Sequence, residues 1–195
     1  MKNLLYGVGI NDCNYTTQKK GVGYVCPFFL KWRNMLQRCY SKKSSNLEEC
    51  HVSEDWKTFS NFLKWCKDKG YSKEDMETHH LDKDLLTGGI GGLYSEETCT
   101  LLHPKANTFL SSFKKTCNNG KGISYHKNRS VFVSQVRNPM TGKKEYLGCF
   151  KNAKDAEGLW LTRKEEIAKE LLSLGYFKPE HEIPLQELFN RARGV

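Results

Sequence analysis

From residue 28 onward apolar positions recur at spacings of three and four. Trp32, Met35, Leu36, Cys39 and Tyr40 share one face and predict a helix from about 28 to 41, with Pro27 suited to its first turn. Before it, Gly7, Gly9, Gly21 and Gly23 bracket a polar stretch, so residues 1–26 read as an irregular arm or short hairpin. Ser41 to Cys50 is a polar loop. Ser53 is a natural N-cap with Glu54 and Asp55 in the first turn, and Trp56, Phe59, Phe62, Leu63 and Cys66 line a second helix ending near Gly70. The aromatic residues of both helices read as core rather than as a platform for bases.

From Glu77 the pattern changes. His79-His80-Leu81-Asp82 predicts a short strand, followed by a loop holding Gly88-Gly89-Ile90-Gly91-Gly92. Thr98 to Leu102 predicts a second strand, and Pro104 opens a helix with Asn107, Phe109 and Leu110. Asn118-Asn119-Gly120-Lys121-Gly122 reads as a linker. Ile123 to His126, Val131 to Val136 and Tyr146 to Phe150 then read as three strands, with Asn138 to Gly142 turning between the last two. A helix from about Asn152 to Leu174 carries Ala153, Ala156, Leu159, Trp160, Ile167 and Leu171, and Pro184 to Arg193 fits a last short helix. The expected class is α+β.

Composition narrows this. A chain of 195 residues forms one large domain or two small ones, and 12% aromatics exclude an intrinsically disordered chain. No apolar run approaches the length of a membrane span, so no membrane partner is expected. The first residues turn to Gly and Asn/Asp too early for a signal peptide, and a cytoplasmic location is expected. None of the eight cysteines forms a Cys-x-x-Cys pair. A disulfide framework is therefore not expected; most thiols read as small buried groups, with a zinc site of Cys13, Cys26, Cys39 and Cys50 as the alternative.

The net charge is +9, unevenly spread. Residues 113–151 hold nine basic side chains and one acid, Glu145, whereas the flanking segments are close to neutral. Such a concentrated stretch points to a polyanion, nucleic acid before membrane. A merely solvated basic surface is the plainer reading.

Two features carry chemistry. Adjacent strand residues point to opposite faces, so His79 and His80 serve one site only at a twisted or bulged strand end. Given that, one imidazole with oxygen or nitrogen donors can hold a divalent ion with open positions, and a second, near neutral pKa, can take a proton from water. Together they suit phosphodiester hydrolysis. This stretch resembles the HNH (ββα-metal) nucleases, especially homing-type endonucleases of bacteriophages. The resemblance puts His79 and Asn107 at metal-ligand positions and His80 at the general base, with Asp82 and His103 as reserve ligands. It implies Mg²⁺ as the ion, with Mn²⁺, Zn²⁺ or Ni²⁺ as alternatives. Thr98 stands where the family has a central Asn that pins the loop, a task its hydroxyl can share.

Residues 122–172 carry Gly122-Ile-Ser-Tyr125, Val131-Phe-Val, Tyr146-Leu-Gly-Cys-Phe150 and the helix with Ala153 and Ala156. They resemble the Apetala-two DNA-binding domain of plant ethylene-response factors, also found appended to phage HNH endonucleases, in which a three-stranded sheet enters the major groove and a helix packs behind it. Strand alternation directs Lys127, Arg129, Gln135, Arg137, Lys143 and Lys144 outward, and Lys121 and His126 join them as candidate DNA contacts. Arg and Gln pair with base edges, whereas lysines more often hold phosphates.

The sequence thus predicts a nuclease domain over 1–112, built of a helical region and a ββα-metal motif. A linker over 113–121, a DNA-binding domain over 122–175 and a tail or short helix over 176–195 follow. The expected function is metal-dependent endonuclease action on double-stranded DNA, in host cytoplasm if the chain is phage-encoded. The rival is a DNA-binding regulator or anti-host factor on a decayed nuclease; an RNA-binding or protein-interaction module is a third option.

Overall fold

The computed structural model describes residues 4–19, 21, 23–41, 50–88, 92–114 and 120–195. Gly89 to Gly91 of the glycine loop, residues 42–49 of the polar loop, Cys117 and the Asn118-Asn119 pair of the linker lie outside the described residues. The chain is a mixed α+β protein that divides into two compact units, Met1–Asp84 with Ile90–Leu101, and Leu85–Gly89 with Leu102–Val195.

The first unit begins with a hairpin of β1 (Gln18–Lys19) and β2 (Tyr24–Val25), then α1 (Pro27–Tyr40), which has proline in its first turn as expected. Strand β3 (His51–Val52) follows. The single helix expected from Ser53 is instead two pieces, a 3₁₀ turn over Asp55–Lys57 and α2 (Phe59–Asp68), because Thr58 is extended (φ −98°, ψ 126°). The cause is tertiary. Ile10 inserts there, donating to the Lys57 carbonyl and accepting from the Phe59 amide. Trp32, Trp56, Phe59 and Phe62 fill the core, as their spacing predicts.

A further helix, α3 (Lys73–Thr78), starts at a capping box formed by Ser72 and Asp75. It moves the start of the next strand, because His79 is the helix's C-cap and β4 runs only from His80 to Asp82. Strand β5 (Leu93–Tyr94) pairs with β3 in parallel, and β4 pairs with β6 (Thr100–Leu102).

Cys39 and Cys50 form a disulfide across the end of α1 and the start of β3, with Cα atoms 5.0 Å apart. This corrects the expectation of unbridged cysteines and removes two members of the zinc alternative; Cys13 and Cys26 are free thiols. The bridge follows from packing, since the Val52 amide also donates to the Tyr40 hydroxyl at 3.1 Å.

In the second unit α4 (Pro104–Lys114) is followed by an antiparallel sheet of β7 (Ile123–His126), β8 (Val131–Arg137) and β9 (Lys144–Phe150). Helix α5 (Ala153–Ser173), capped by Asn152, and α6 (Glu182–Arg193) complete it. Phe109, Phe113, Trp160, Ile167 and Phe189 form its core. Among the described residues no helix is long and apolar enough to cross a membrane.

One charge lies inside this second core. Lys164 is 1% exposed, donates to the Phe109 carbonyl at 2.7 Å, and sits over the Phe109 and Phe113 rings. The rings attract a cation, yet burial dominates and pushes the Lys164 pKa well below its ordinary value. Between the folded and unfolded pKa values the unfolded chain holds the extra proton, so stability falls as pH drops through that window. Holding an ionisable amine in an apolar core costs stability, a cost that an apolar side chain of similar length avoids. We therefore expect Lys164→Met to melt higher at pH 7 and to lack the wild type's rise in stability towards pH 10. Scanning calorimetry across that range checks both.

Candidate functional site

Helix α1 and the α3–β4 junction shape a pocket of about 160 Å³ in the first unit, lined by Lys31, Asn34, Arg38, Glu77, His79 and His80 with Met35, Leu81 and Tyr94. The displaced strand start matters here. As the C-cap residue of α3, with φ −95° and ψ 160°, His79 is not bound by strand alternation, and both imidazoles line the same pocket. The Thr78 hydroxyl lies 2.9 Å from His79 Nδ1 and donates to the Glu74 carbonyl, which makes Nδ1 the donor of that pair. Lys31 Nζ donates to the His79 carbonyl at 2.5 Å, tying α1 to the junction.

The electrostatics are cationic. Partial burial, with Lys31, Arg38 and His79 nearby, lowers the His80 pKa below the ordinary histidine value. Its imidazole is therefore neutral at pH 7, the form a base requires. Burial, reinforced by Arg38, likewise lowers the Lys31 pKa. Sequence reasoning singled out none of Lys31, Asn34 and Arg38, the polar α1 residues of this wall. Their signal was present, because 31, 34 and 38 fall on one helical stripe, but nothing local ties that stripe to histidines some 48 positions away.

The other expected residues fall in different places. Asp82 shares with His80 one face of β4, while Leu81 enters the core. Its carboxylate is 6% exposed and accepts from the Asp84 amide at 3.1 Å. Asn107 lies on α4, in the second unit. His103 also belongs to the second unit, where Nδ1 accepts from the Lys105 amide and the ring packs 4.4 Å from that of Tyr176. Thr98 acts as a loop pin. Its hydroxyl donates to the Leu93 carbonyl at 2.7 Å and accepts from the Ser95 amide at 3.1 Å.

A second surface lies on the three-stranded sheet. Gln135 pairs with Tyr146 and Arg137 with Lys144, so these four side chains share one face. All four are exposed. The opposite face turns to α5, with Val136 buried and the Ser134 hydroxyl donating to the Ala156 carbonyl at 2.8 Å. His126 ends β7, Lys127 and Arg129 form the 3₁₀ turn before β8, and Lys143 precedes β9; all are exposed. Lys121 stands apart, half-buried, its ammonium 6.0 Å from the Phe113 ring and its amide donating to Glu157. Tyr146, 62% exposed, adds an aromatic ring that was not among the expected contacts.

The single acid of the basic segment does not dilute this face. Glu145 reaches α5, where Arg163 binds it at 2.8 Å, and Asn138 donates to it at 2.7 Å. The Arg163 hydrogen bond, then that of Asn138, hold its carboxyl below the usual range. The negative charge is thus spent against the helix. No family model, no curated protein and no solved structure matches the chain.

Proposed function

We propose that the chain is a DNA endonuclease that hydrolyses a phosphodiester bond in the pocket of its first unit and grips double-stranded DNA with the sheet of its second. The observation that carries this reading is that His79 and His80 line one pocket together with the cations Lys31 and Arg38. A phosphodiester is drawn in by those cations. His80, neutral at pH 7, takes a proton from water as the water oxygen bonds to phosphorus, and the bond from phosphorus to the departing sugar oxygen breaks.

The donor chemistry also fits a divalent ion. A buried carboxylate, Asp82, is a hard oxygen donor suited to Mg²⁺, and an imidazole, His79, admits Mn²⁺, Zn²⁺ or Ni²⁺. His79 and Asp82 would hold it. Among the described residues no three His, Cys, Asp or Glu side chains gather into a metal cage, so phosphate and water would complete the shell. Such an ion, when bound, offsets charge on the phosphate. The Thr98 hydroxyl, by pinning Leu93 and Ser95, holds the loop that leads to β6. These features, with the sheet-and-helix order of residues 122–172, support the HNH and Apetala-two likenesses.

Supercoiled plasmid incubated with the protein and Mg²⁺ or Mn²⁺, beside a chelator control, is expected to become nicked. Metal-independent gel shifts with no nicking would favour the rival, a DNA-binding protein without catalysis, for which the basic sheet face is the supporting observation. That face has its own expected result. Each lysine or arginine contact to phosphate adds about one to the salt slope of binding. Arg137→Ala with Lys144→Ala is expected to flatten the slope by about two in titrations of duplex DNA at several salt concentrations. An unchanged slope would remove those two residues from the interface.

A further inference from the structure

We infer that the α1 stripe of Lys31, Asn34 and Arg38 is the phosphate-holding wall of the first unit's pocket, a binding element for a nucleic-acid phosphodiester. The inference rests on the nuclease reading and adds the residues that hold the substrate. Three observations carry it. Positions 31, 34, 35 and 38 follow helical spacing, and all four line the pocket while Met35 also turns into the core. The two cations stand on the same wall one above the other, where Glu77 is the one acid among the described lining residues. Lys31 also holds the His79 carbonyl, so the cation that attracts the anion also fixes the backbone presenting the imidazoles.

This arrangement sets two like charges on one wall of a space of about 160 Å³. An anion entering between the two relieves their repulsion and gains charge-assisted hydrogen bonds, which are stronger than neutral ones. Arginine suits a phosphate with a two-pronged contact, and lysine with a point charge. The amide of Asn34, exposed between them, adds a neutral donor. The substrate class is therefore the bridging phosphate of a polynucleotide rather than an uncharged or cationic ligand.

The test uses the full chain and inorganic phosphate, with the ring resonances of His79 and His80 followed by NMR. Phosphate is expected to shift both sets in a saturable way. Arg38→Gln and Lys31→Gln are each expected to weaken that binding by about tenfold, the scale of one charge-assisted contact. Arg38→Lys should recover most of it, and Lys67→Gln on α2, which removes the same charge elsewhere, should change nothing. Unaltered resonances of His51, on β3 of the same unit, confirm that each variant is folded. No saturable shift at His79 and His80, or an Arg38→Gln variant that binds like the wild type, overturns the inference. The titration involves neither DNA nor cutting. Failure here leaves plasmid nicking to be judged separately, and phosphate binding without nicking keeps the wall while removing the chemistry.

Discussion

His80→Ala is expected to lower plasmid nicking by about 10²–10⁴-fold, the usual contribution of a positioned acid–base side chain. Duplex binding at moderate salt should be unchanged, because the basic sheet lies in the other unit, around a core of its own. His80 is the first residue of β4 and is exposed, while Leu81 anchors the strand in the core. Removing the imidazole therefore removes no core packing, and the variant is expected to melt within about 0.5 kcal/mol of the wild type. Burial and the cations Lys31 and Arg38 keep the imidazole neutral, so the wild type has its base ready at pH 7. Added imidazole should restore part of the lost rate, which a structural role for His80 does not predict. A His80→Ala protein that nicks as fast as the wild type would falsify the assignment of the base.

How far the site was legible depends on where its information sits in the chain. The histidine pair was readable because it is local, and so were α1 and α5, whose apolar faces repeat over several turns. The reading erred where tertiary contacts decide. Nothing between Ser53 and Gly70 announces the break at Thr58, which Ile10 imposes from the arm. Strands β3 and β5 are two residues each, too short for alternation to register. Helix α3 was different, because Ser72 and Asp75 spell a capping box. Reading it would have moved His79 off the strand and removed the objection that neighbouring strand residues face apart. The Cys39–Cys50 bridge likewise depends on the end of α1 meeting β3, which spacing alone does not contain.

In the second unit the steepest structural dependence falls on a glycine, and Gly122→Ala is expected to cost about 2–5 kcal/mol. Two separate terms add. Gly122 has φ +69°, a left-handed conformation that costs an L-residue about 1–2 kcal/mol. A Cβ built there meets Trp160 at 2.0 Å from Nε1 and 2.1 Å from Cδ1, and overpacking of this kind costs about 1–3 kcal/mol. The indole has little room to yield, since Trp160 is 1% exposed and packs edge-on against Phe113 at 5.3 Å. The Gly122 carbonyl also accepts from the Gln135 amide, so a shift of this residue disturbs the sheet beside the Gln135–Arg137 face. Gly142→Ala separates the two terms, because Gly142 has φ +71° but nothing within 4 Å of an added Cβ. That variant should lose only the backbone cost of about 1–2 kcal/mol and bind duplex DNA as the wild type does. Gly122→Ala should melt lower than Gly142→Ala and bind DNA more weakly at temperatures near its own transition. Thermal denaturation of both variants checks the ordering, and equal losses at the two positions would mean that Trp160 yields and that the steric term is absent.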